Sequence, residues 1–178
     1  MSTTTSKPAL PPVRRVVTGH TTDGKSTVIR DEVQPPQFWS PGSINAIYDI
    51  GRTETIPANI DSEITTGEFI DEIATSKGHV GSTGAVFRSF DFAPGAVIPF
   101  HRTVSMDFGV IVKGQIVLQL DDDKKVTLNQ GDAVVQRGTI HNWRNETDEW
   151  TRIFFVVMGA HPININGEEL KEEWRKPK

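Results

Sequence analysis

From Gly84 to Met158 the chain is a succession of short apolar and β-branched runs, cut at close intervals by Gly, Asp, Asn and Pro. The runs fall at residues 85–92, 97–101, 107–112, 115–120, 125–128, 133–136, 141–144 and 151–158. Runs of this length and composition, bounded by turn formers, read as strands. The gaps are too short for the helical crossovers that parallel strands require, so the strands must join by tight turns into an antiparallel barrel or sandwich. The fold class is therefore all-β.

The flanks are less regular. Residues 1–12 are rich in Ser, Thr and Pro and offer little to pack, which predicts a flexible N-terminal arm. Residues 13–17 and 26–29, separated by Asp23-Gly24, read as a hairpin added outside the main strand series. Between Pro35 and Gly84 the pattern is weak, with a strand at 44–50 and a helical turn at 68–73. The tail, 168–174, reads as a short helix. Residues 13–178 thus make one domain, which a chain of 178 residues is long enough to stabilise through its own core.

Composition narrows the function classes. A formal charge of −4 with signs interspersed provides no cationic face for a phosphate backbone, which argues against nucleic acid as a partner. There is no cysteine, so neither disulfides nor thiol nucleophiles enter, and a metal would need nitrogen and oxygen ligands. No segment has the continuous apolar length of a membrane span or a secretory leader, and a cytoplasmic protein with no membrane partner is the expectation.

The histidines then carry the argument. Gly95 is followed by five residues and His101, and Asp107 by six residues and Gly114, with Thr103 between them. Further on, 138–145 reads Gly-Thr-Ile-His-Asn-Trp-Arg-Asn, preceded by Gly131-Asp132 and Gln136. These two segments resemble the paired motifs of the cupin superfamily over roughly residues 84–160, about half the chain. The first cupin motif places His-x-His and a Glu between two glycines, and the second ends in Gly-x-x-His-x-x-x-Asn. Here Thr103 stands at the second His position, Asp107 at the Glu and Gln136 at the usual Pro. The resemblance implies a small double-stranded β-helix, or jelly-roll, barrel with the functional site inside it.

Strand geometry gives the chemistry without the family. Residues two apart share a face, so His101 with Thr103, and His141 with Trp143 and Asn145, point to a common interior. His101, His141, Asp107 and Thr103 are the candidate catalytic residues. Two imidazoles and one carboxylate also match the facial set that holds Fe(II), and Mn or Zn suits the same donors. His101, Asp107 and His141 are thus candidate metal ligands. The same groups serve without metal, because burial favours a neutral imidazole and raises a carboxyl, which suits acid-base work. The bland alternative is that both histidines are satisfied interior residues and Asp107 pairs near the rim.

Arg88 is a candidate for holding a substrate carboxylate, whereas Arg102 should point away from the His101 face and Arg137 sits in a turn. Phe90, Phe92, Phe108, Phe154 and Phe155 read mainly as packing, with Trp143 a candidate substrate wall. His20, His79 and His161 have no motif spacing, and 121–125 reads as a solvated hairpin turn rather than a calcium loop.

Polar groups converging in an apolar interior make a small-molecule site. The resemblance implies an enzyme of catabolic or secondary metabolism, a lyase or isomerase that decarboxylates or dehydrates an acidic, phenolic or polyketide-like substrate. Two alternatives stand beside it: an Fe(II)-dependent dioxygenase and a non-catalytic ligand-binding cupin. The resemblance also implies a homodimer.

Overall fold

The computed structural model describes residues 10–75 and 80–175. Its strands are β1 (Arg14–His20), β2 (Ser26–Val33), β3 (Gln37–Phe38), β4 (Ala46–Thr53), β5 (Ala85–Phe92), β6 (His101–Arg102), β7 (Ser105–Lys113) and β8 (Gln115–Gln119). There follow β9 (Lys125–Asn129), β10 (Ala133–Arg137), β11 (Asn142–Arg144), β12 (Thr151–Gly159), β13 (Ile163–Ile165), β14 (Glu168–Leu170) and β15 (Glu173–Trp174). Two single-turn helices, α1 (Ser62–Thr65) and α2 (Glu72–Thr75), sit between β4 and β5. Most of the strands anticipated after Gly84 form at the anticipated places, within a few residues at their ends, whereas the run 97–101 makes only an isolated bridge at Val97 and the two-residue strand His101–Arg102.

They assemble into two sheets. One has the order β10-β7-β12-β5-β4-β3 and is antiparallel throughout. The other has β11-β8-β9 at its centre and is extended by pairings of Val97 with Arg144 and His101 with His141, and of β15 with β6. Strand alternation turns Phe92, Ile111, Ile153 and Phe155 of the first sheet toward Ile116, Leu118, Leu128 and Trp143 of the second, and these form the core. This is a jelly roll, in which the alternating apolar positions of both sheets face inward.

Gly109 and Gly114 shape that interior. A Cβ on Gly109 would lie 2.6 Å from the Phe155 ring, so the absence of a side chain lets Phe155 cross the sheet. Gly114 takes φ +78 in the tight connection between β7 and β8, a conformation that L side chains rarely adopt.

Several details differ from the sequence reading. The packed chain begins before Val13: Leu10 is only 5% exposed, and the Pro11 carbonyl accepts a hydrogen bond from Arg152. Val13 joins Ala46 and Tyr48 in a small cluster on the outer face of the first sheet, where Arg152 is clamped to Asp91 at 2.5 and 2.6 Å. Residues 168–174 are not a helix. Their two short strands pair, β14 with β13 and β15 with β6, because backbone groups at the sheet edge were still open to pairing. The helical turn expected at 68–73 falls later, at α2. Phe108 is 40% exposed on the outer face, aligned with exposed Val135, Val156 and Phe87 on neighbouring strands, so it does not pack the interior. Among the described residues, no helix is long and apolar enough to cross a membrane.

Candidate active site

His101 and His141 are brought together by the backbone itself. Each residue's amide donates to the other's carbonyl, at 2.9 and 3.0 Å, so the two strands place both side chains on one face. Their ring centroids are 4.4 Å apart. Nδ1 of His101 lies 2.9 Å from the Pro99 carbonyl, and Nδ1 of His141 lies 3.0 Å from the Thr139 carbonyl. A carbonyl only accepts, so Nδ1 of His101 donates to Pro99 and its Nε2 is left as the acceptor, whereas Nδ1 of His141 lies between the Thr139 carbonyl and the Gln136 side-chain amide, 3.2 Å away, and donates to the one or accepts from the other. Gln136, at the position where the resemblance expects proline, bonds the Thr139 hydroxyl and carbonyl and so braces the loop that carries His141. Burial, reinforced by neighbouring His101, pushes the His141 pKa down to about 4, so its ring is neutral at ordinary pH.

Asp107 and Arg88 arrive from the first sheet. Asp107 on β7 is cross-strand from Val157 on β12, and Arg88 on β5 is cross-strand from Phe155, so the two polar side chains occupy adjacent rows of the inner face. Asp107 is 8% exposed, and among the described residues its Oδ1 has no hydrogen-bond partner. Burial pushes its pKa up to about 6, with the Ser105 hydroxyl and the Arg88 cation pulling in the other direction. Arg88 is ion-paired to Asp49 at 2.8 Å, which leaves its buried Nε without a hydrogen-bond partner among the described residues. Thr103 is held against Ser105, hydroxyl to hydroxyl, at 2.7 Å.

Arg88, His101, Thr103, Asp107 and His141 line one cavity of about 370 Å³. Val86, Phe90, Phe92, Trp143 and Phe155 form its apolar wall, and Trp39 and Trp174 stand at it with His101. Such a volume accommodates a small organic molecule, and the few polar groups that interrupt an apolar wall fix its orientation. The structure therefore brings His101, Thr103, Asp107, His141, Arg88 and Trp143 to a single place. Arg102 turns away, as alternation requires, toward Glu173 at 3.2 Å. Asn145 does not reach the cavity: it is 1% exposed and ties a corner by donating to the carbonyls of Phe92, Ala93 and Glu149. His20 and His161 are exposed, and His79 lies outside the described residues.

The three expected metal ligands share the cavity without converging. Among the described residues no group of three or more His, Cys, Asp or Glu side chains is placed to hold a metal ion. His101, Asp107 and His141 in this arrangement do not make a three-ligand set. Sequence reasoning missed Trp39, Trp174 and Asp49. The first two lie in segments without periodicity; their signal was a large aromatic in a polar stretch. Asp49 had no signal short of its cross-strand pairing with Arg88.

The family model described as "Cupin domain" matches residues 88–158. "Oryzines biosynthesis cluster protein J" of Aspergillus oryzae is 32% identical over 91% of this chain and 91% of its own length. The chain belongs to the cupin family. Another relative, "Cupin-domain-containing oxidoreductase fogC" of Aspergillus ruber, is 31% identical over 89% of this chain and 78% of its own. A solved double-stranded β-helix protein of Klebsiella pneumoniae matches 52% of this cupin and 76% of that chain, at 18% identity and a TM-score of 0.42.

Proposed function

We propose that this cupin is an enzyme of secondary metabolism that moves a proton on a small acidic, phenolic or polyketide-like substrate, in a decarboxylation, dehydration or isomerisation. The observation that carries the reading is the Asp107 carboxyl: buried, raised to about 6, and with one oxygen unpartnered among the described residues at the cavity wall. A carboxylate poised near neutral pH is a competent general base, and the same group once protonated is the acid that returns the proton. Arg88 Nε would hold the substrate's anionic oxygen and stabilise negative charge that develops when the proton leaves carbon. The Nε2 lone pair of His101 would accept from a substrate hydroxyl, the neutral His141 ring would donate to or accept from it according to which partner its Nδ1 takes, and Trp143 would bound the ring. The name of one relative supports the pathway class, since it is a biosynthesis cluster protein.

The test is incubation of the purified protein in D2O with a panel of phenolic acids, β-hydroxy ketones and conjugated polyketide-like acids, followed by mass spectrometry. Deuterium incorporation, or loss of carbon dioxide or water, that is absent in Asp107→Asn supports the reading. A second reading, an oxidoreductase, is favoured by the name of the fogC relative. Oxygen consumption that tracks substrate loss, undiminished in Asp107→Asn, would replace the first reading with the second.

A further inference from the structure

Trp174 stacks on His101 with centroids 4.6 Å apart and planes within 10°. Trp39 in turn leans on Trp174, at 5.4 Å and 42°. All three rings line the cavity, yet Trp39 is 51% and Trp174 43% exposed. A tryptophan recruited to stabilise a core is buried far more deeply than this. These two instead both line the cavity and reach solvent.

Trp174 is fixed there by its backbone. It pairs with His101 across β15 and β6, the next amide, that of Arg175, donates to the Phe100 carbonyl at 2.8 Å, and Glu173 is ion-paired to Arg102 at 3.2 Å. Arg175 adds an ion pair to Asp121 at 2.8 Å, which ties the end of the chain to the turn between β8 and β9. The indole is therefore held in register with the imidazole that it covers.

We infer that Trp39 and Trp174 form an aromatic clamp at the cavity mouth that selects ligands carrying a planar conjugated ring over saturated ligands of the same size and charge. An indole face offers offset stacking to a flat π system and only dispersion to a puckered one, so discrimination follows shape and polarisability rather than charge. The polar groups deeper in the cavity, led by Arg88, take the anionic end, and the ring is left at the level of the tryptophans. The inference rests on the cavity being a ligand site and does not depend on the proton chemistry proposed for it.

The test compares binding of naphthoate and its fully saturated counterpart, decahydronaphthoate, by titration calorimetry to the wild type and to Trp174→Ala, Trp39→Ala and Trp174→Phe. A stack of this kind contributes about threefold to tenfold in affinity. The expected result is a wild-type preference for naphthoate of that size, cut toward unity in both alanine variants and largely kept in Trp174→Phe. Because both side chains are about half exposed, the variants should melt with the wild type, and calorimetric scans check this. Equal affinity of the wild type for both compounds, or a preference unchanged in both alanine variants, overturns the clamp while leaving the cavity as a binding site. If neither compound binds the wild type, the binding site and the clamp fall together.

Discussion

Two groups lining this cavity are displaced in opposite senses, chiefly by one cause. Burial disfavours the charged form of each, so the Asp107 carboxyl rises to about 6 and the His141 imidazolium falls to about 4. Near pH 7 the carboxyl is thus mostly ionised and His141 neutral, the states required of a base and an uncharged hydrogen-bonding ring in one cavity. The rate should fall on the acid side with an apparent pKa near that of Asp107, which a pH profile of kcat/KM reads directly. Asp107→Asn should lower turnover by about 100-fold or more. Arg88→Ala should weaken the binding of anionic ligands by about tenfold and leave neutral ones almost unaffected, measured by the same titration on paired acid and amide ligands.

At the scale of strands, β7 does most to shape the site, because Asp107, Gly109 and Ile111 are successive inward positions on it. Gly109 is the gap through which the Phe155 ring passes, with a would-be Cβ 2.9 Å from a Val134 methyl as well. Gly109→Ala should drive Phe155 toward the cavity, cost roughly 1–3 kcal/mol in thermal or denaturant unfolding, and weaken ligand binding. Val or Ile there should be worse. The strands of this half of the molecule were legible because one face of each is buried, which writes a period of two into the sequence between clear turn residues. The site was legible for the same reason: glycine spacing fixed where His101 and His141 fall, and alternation aimed them inward. Alternation failed at Asn145, where the chain turns a corner and the side chain serves three carbonyls instead. It failed differently at 168–174, where the charged and apolar residues carry no strand period and pairing with β6 decided the conformation. Spacing along a strand does not fix how closely groups from opposite sheets approach, and among the described residues His101, Asp107 and His141 are not grouped as a three-ligand set.

For the molecule as a whole, the two displaced groups set opposing slopes of stability against pH. Asp107 has a folded pKa above its unfolded value, so its penalty is absent below about pH 4 and grows to full size as pH rises through 6. His141 has a folded pKa below its unfolded value, so its penalty is absent above about pH 6.5 and grows as pH falls through 4. Across that window the two trends offset each other, each worth roughly 1–3 kcal/mol. Asp107→Asn should therefore stabilise the protein at pH 8 and leave a profile that declines toward acid. His141→Gln should stabilise it at pH 4 and leave one that declines toward neutral pH. Denaturant melts of the three proteins at several pH values check both signs, and parallel curves would refute the assignments.

The rings at the cavity mouth, Trp39 and Trp174, lie outside residues 88–158, whereas Arg88, His101, Asp107 and His141 lie within that span. The groups proposed to do the chemistry and those proposed to select the ligand thus come from separate stretches of the chain. Exchanging the side chains at 39 and 174 alone would alter the proposed ligand choice while leaving Arg88, Asp107 and His141 in place, whereas the backbone of 173–175, which pairs with the strand of His101, has to be kept.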